Sequence, residues 1–71
     1  MTMQVFHTFL SEYKHEDRRC EVWLDENKVF CTRHYKQESG FEVWQKDVKH
    51  YGHNEMWAED AAENWVFKVN S

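Results

Sequence analysis

The chain has 71 residues and a formal net charge of −4, which leaves room for one domain and not two. It contains no Pro, two Gly and two Cys. That excludes a Pro- or Gly-rich linker, a Gly-rich phosphate loop and a disulfide scaffold.

Taken in chain order, residues 3–13 come first. Val5, Phe6, Thr8 and Phe9 favour a strand by composition, although Met3, Phe6, Leu10 and Tyr13 also fit helical spacing. The strand is the preferred reading. The polar run Lys14–Arg18 then makes a hairpin loop. The clearest strands are Arg19–Asp25 and Lys28–Lys36, which alternate and flank the turn-forming Asp25-Glu26-Asn27. With Asp25 facing Lys28, Leu24 faces Val29, Trp23 faces Phe30 and Val22 faces Cys31. Cross-strand neighbours share a face, so Cys20, Val22, Leu24, Val29 and Cys31 are expected on one face. Glu21, Trp23, Phe30, Thr32 and His34 are expected on the other. After a turn at Gln37–Gly40, where Gly40 supplies a positive φ, Phe41–Val48 returns antiparallel. Phe41 and Val43 join the Val/Leu/Cys face, and Trp44 joins Trp23 and Phe30.

The last element is a helix. Asn54 is its expected N-cap, and Glu55 to about Val69 contains no breaker. At 100° per residue, Trp57, Ala58, Ala61, Ala62, Trp65 and Val69 form an apolar stripe opposite Glu55, Glu59, Asp60 and Glu63. The expected architecture is a single α+β domain over residues 1–71, a three- or four-stranded antiparallel meander with the helix packed on one face. Leu, Val and Phe number only 14 and Ile is absent, so the core has to lean on its aromatics, among them four Trp.

The segment Ala58-Glu59-Asp60-Ala61-Ala62-Glu63-Asn64-Trp65-Val66, behind strand-rich sequence, resembles the ending of small uncharacterised proteins from viruses of cyanobacteria. The likeness is strongest over about a quarter of the chain. It implies a small accessory protein acting inside an infected cell and carries no site residue with it.

Catalytic and metal chemistry find little to build on. None of the three Ser (Ser11, Ser39 and Ser71) sits in a nucleophile motif. The expected alternation puts His34 on the opposite face from Cys20 and Cys31, against a thiolate–imidazole pair. Among five His, the one tight pair is His50 and His53, and no CxxC exists; a structural zinc site wants four N/S ligands. No enzyme activity, cofactor or metal is expected. No stretch approaches the roughly 20 apolar residues of a membrane span, and Met1–Leu10 lacks the features of a signal peptide. The expected location is the cytoplasm, that of the host if the protein is viral, with reduced thiols and no membrane contact.

Two surfaces remain. Glu55, Glu59 and Glu63 repeat at i, i+4, i+8, a like-charge spacing that costs a helix about 0.2–0.5 kcal/mol per pair. With Asp60 they rim Met56 and Phe67, a surface suited to a basic or amphipathic partner. The second surface is the sheet face of Trp23, Phe30 and Trp44, left outside if the helix covers the other face; contiguous exposed aromatic area marks an interface. The sequence therefore points to a non-enzymatic protein-interaction module with Trp23, Phe30, Trp44, Met56, Glu59, Asp60, Glu63 and Phe67 as contact residues. Its expected partner is a second copy, as a homodimer, or a host protein that it modulates. Binding of single-stranded nucleic acid to the aromatic face is the alternative. It is opposed by the net charge and by Glu21 and Glu42, because such surfaces need cations for phosphate.

Overall fold

A computed structural model describes residues 7–68. Its four strands, β1 (Thr8–His15), β2 (Arg18–Leu24), β3 (Phe30–Glu38) and β4 (Phe41–His50), precede one helix, α1 (Glu55–Val66). The strands lie side by side in chain order in one antiparallel sheet, and α1 packs on β1, β2 and β3. This is the expected α+β meander with four strands. Residues 8–13 belong to β1, as the strand reading expects; Met3, Val5 and Phe6 lie outside the described residues, as does Val69.

Each hairpin is closed by a different local device. Between β1 and β2 the turn is Glu16-Asp17, with φ of 54° at Glu16. Between β3 and β4 it is Ser39-Gly40, both with positive φ (54° and 84°), as the type I′ form of a two-residue hairpin loop requires. Between β2 and β3 the loop has three residues, Glu26-Asn27-Lys28. The Asp25 carboxylate accepts from the N–H of Asn27 (2.8 Å) and of Val29 (2.9 Å). The Asp25 and Val29 backbones are also joined, N–H to C=O, at 3.0 Å. Lys28 completes the loop in the left-handed region, φ 62°.

That loop corrects the expected register by one residue. Asp25 stands opposite Val29, not Lys28, so Trp23 pairs with Cys31, Leu24 with Phe30 and Val22 with Thr32. In a strand a one-residue slip exchanges faces. Phe30, Thr32 and His34 therefore lie on the helix side with Cys20, Val22 and Leu24, while Cys31 lies on the outer side with Trp23. Phe30 packs against the core under α1 and does not group with Trp23 and Trp44. A register shift between His34 and Tyr35 leaves Gln45 unpaired and sets Trp44 opposite Tyr35 on the outer face, where it was expected. Val43, opposite Lys36, points to the helix side, as expected, but is exposed there.

The helix begins as the sequence indicates. The Asn54 side chain accepts from the Trp57 N–H at 2.9 Å, satisfying one of the free donors of the first turn. It ends three residues early: Phe67 caps it and Lys68 adopts φ 60°. The buried row is Ala58, Ala62 and Val66. Two alanines at i and i+4 let the helix backbone settle close over Cys20 and Val22, which with them form the core. Trp57 is consequently turned out of the expected stripe and is 52% exposed. Trp65 remains at the border of the core; its carbonyl accepts from Arg18 Nη1 (2.9 Å), and the Arg18 guanidinium lies 4.8 Å above its ring.

Candidate functional site

The outer sheet face is clasped by its own charges. Arg19 reaches Glu42 in a two-pronged ion pair (2.8 and 2.6 Å), also contacts Glu21 and Glu12, and lies 4.2 Å over the Tyr35 ring. Arg33 makes the same kind of pair with Asp47 (2.9 and 3.0 Å) and is only 8% exposed. The Trp44 indole N–H donates to the same Asp47 (2.8 Å), and that of Trp23 donates to Glu21 (3.0 Å). Phe9 stands edge-on to Trp23 at 5.3 Å. The Arg33 guanidinium and the Trp44 N–H hold the Asp47 carboxyl below the usual range against the opposing pull of desolvation, and the Arg19 guanidinium does the same for Glu42. Trp23 and Trp44 share this face, half-buried, without Phe30.

On the helix, Met56 (69%) and Phe67 (47%) are exposed, as are Asp60 and Glu63. Phe67 is partly engaged, its ring 4.4 Å from that of His15. Glu59 is half-buried at the β1 border and accepts from the Ser11 hydroxyl at 3.4 Å. The acidic stripe is therefore divided, with Glu59 turned to the sheet edge. Beside it Trp57, Asp60, Ala61 and Asn64 line a shallow groove of about 270 Å³. One face of the Trp57 indole is stacked on the His53 ring, 4.0 Å away and 9° from parallel. Trp57 was missed as a surface residue because its apolar periodicity assigned it to the core. The signal that could have found it is size: only the alanines of that stripe permit close approach to the sheet.

The corrected register also builds a buried polar chain. Cys20 and His34 are cross-strand partners, and their Sγ and Nδ1 are 3.6 Å apart. His34 Nε2 lies 2.8 Å from the Thr32 hydroxyl, which lies 2.9 Å from His50 Nε2. The expectation that His34 and Cys20 occupy opposite faces is overturned. Their chemistry is nonetheless that of a neutral pair. Burial pushes the Cys20 thiol up to about 12, and burial, with Lys46 nearby, pushes His34 down to about 4. Both groups are sealed under α1, with the Trp65 ring edge-on to His34 at 4.7 Å. Cys31 is equally buried, on the outer face, and desolvation raises it to about 11. Among the described residues, no three His, Cys, Asp or Glu side chains are grouped to hold a metal ion, and no helix is long and apolar enough to cross a membrane.

No protein family, curated protein or solved structure matches the chain.

Proposed function

We propose that the chain is a non-enzymatic protein-interaction module whose docking surface is the outward flank of α1. The observation that carries this reading is Trp57, half exposed in the first turn and set beside an open groove with Asp60 at its edge. Tyr51 and Met56 add exposed apolar area in the same seven-residue stretch. Trp is among the residues most enriched at the energetic anchor points of protein interfaces. Asp60 and Glu63, with no ion-pair partner among the described residues, would steer a basic partner toward it through long-range attraction. The likeness of residues 58–66 to the ending of small proteins from viruses of cyanobacteria favours an accessory role, binding and modulating a host protein in its cytoplasm. A second copy of the chain is the competing occupant. The outer sheet face, with Trp23 and Trp44, offers less to either, because its indole N–H groups and both guanidiniums are already bonded within the chain. The same commitment of Arg19 and Arg33 to carboxylates weighs against nucleic acid there.

The test compares tagged wild type with Trp57→Ala in a pull-down treated with nuclease, alongside sedimentation of the isolated protein. Capture of one stoichiometric protein, falling by ten-fold or more in a folded Trp57→Ala variant, is the result expected of an anchor worth about 2 kcal/mol. Equal capture by the variant, or capture that nuclease removes, would overturn the assignment. A wild-type dimer that Trp57→Ala converts to monomer would name the second copy as the occupant.

A further inference from the structure

A hydroxyl group has one proton to give, and the Thr32 hydroxyl stands between two imidazoles. It donates to His34 Nε2 or to His50 Nε2 and accepts from the other. The contacts at 3.6, 2.8 and 2.9 Å that join Cys20, His34, Thr32 and His50 therefore form a directional chain with two polarities. In the first, the Cys20 S–H donates to His34 Nδ1, His34 Nε2–H donates to Thr32 Oγ1, and the Thr32 O–H donates to His50 Nε2. Every polar hydrogen along the chain then has an acceptor, so this polarity holds while both imidazoles are neutral.

We propose that protonation of His50 reverses the chain, moving His34 to its Nδ1–H tautomer and turning Cys20 Sγ from donor to acceptor. A protonated imidazole donates from both nitrogens, so His50 Nε2 can no longer accept from Thr32. The hydroxyl rotates toward His34 Nε2, which must then be bare. His34 stays neutral with its proton on Nδ1, aimed at Cys20 Sγ. The bookkeeping is one proton gained by His50 and one proton relocated within His34; no other bond to hydrogen changes.

The surroundings decide which imidazole charges first. His34 is 4% exposed. On the helix side it meets Cys20 from β2, Lys46 and His50 from β4, and the Trp65 ring from α1; Asp47, on the opposite face of the sheet, is the one nearby charge that favours its protonated form. The helix acids Glu59 and Glu63 bear on Tyr13 instead. His50 is half-buried at the end of β4, with His53 as the neighbouring titratable group. The proton therefore arrives at the outer end, and the consequence is read in the core, beneath Trp65.

The experiment is a pH titration of ¹⁵N-histidine-labelled protein followed by NMR. The expected result is that the pyrrole-like and pyridine-like nitrogens of His34 exchange identity with the midpoint at which His50 titrates. In Thr32→Val, which keeps the side-chain shape and removes the hydroxyl, His34 should hold one tautomer through that midpoint. If Thr32→Val does not fold, His50→Gln serves from the other end, and His34 should then keep one tautomer across the same pH range. A wild-type His34 whose tautomer does not change as His50 titrates would overturn the proposal. So would an exchange that persists in either variant.

Discussion

A neutral imidazole sealed under a helix makes the folded state poorer in protons than the unfolded one. His34 titrates near 6.5 when unfolded and at about 4 in the fold, because burial penalises its charged form. As pH falls from 6.5 toward 4, the unfolded chain takes up a proton that the native chain refuses, so stability declines through that window and levels off below it. Between pH 7 and pH 5 the loss from this one residue should be about 2 kcal/mol. Urea midpoints at the two pH values measure it, and a His34→Gln variant should show a flatter dependence. Asp25, Asp47 and Glu42, all held below their usual values, act with the same sign at lower pH. Their stabilisation is complete above about pH 4.5 and is lost on further acidification, so the two contributions are separable by pH. The thiols belong to the same residue-scale picture. Cys20 at about 12 and Cys31 at about 11, both fully buried, carry negligible thiolate at neutral pH, which is the form nucleophilic chemistry needs.

At the scale of elements, the β2–β3 hairpin carries a local conflict. Lys28 sits at φ 62°, a region that costs a residue with a Cβ about 1–2 kcal/mol. The Asp25 carboxylate offsets that cost by satisfying the Asn27 and Val29 N–H groups. Lys28→Gly should therefore stabilise the protein by up to about 1 kcal/mol, the greater freedom of Gly in the unfolded chain removing part of the gain, and a rise in thermal midpoint would register it. The same loop explains where the sequence was legible and where it was not. The Ser39-Gly40 turn and the Asn54 cap announce themselves through residue types that only those conformations favour, and the α+β meander follows from strands separated by such turns. Nothing in Glu26-Asn27-Lys28 advertises a third loop residue with positive φ, because no Gly marks it. From that single residue came the misplacement of Phe30, Thr32, His34 and Cys31, and with it the separation of His34 from Cys20. The helix face was misjudged for a different reason. An average over apolar residues weighs Trp and Ala alike, whereas close packing on a sheet selects the small ones, so Ala58 and Ala62 turned inward and Trp57 outward.

For the whole molecule, charge is distributed by layer. The outer sheet face binds its cations and anions to one another, whereas Asp60 and Glu63 on α1 face solvent without an ion pair among the described residues. The formal charge of −4 is therefore felt most on the helix side, which is also where Trp57 and its groove lie. The order of the sheet has a separate kinetic meaning. Every strand pairs with its neighbour in sequence, so the sheet can grow one hairpin at a time, and the docking of α1 on β1 and β2 is the step that closes a long loop. Local strand pairing combined with that one long-range docking step places refolding at about milliseconds. A stopped-flow experiment on Trp fluorescence should resolve a single fast phase, and a dominant phase lasting seconds would show that some longer-range event, such as association of two chains, governs folding instead.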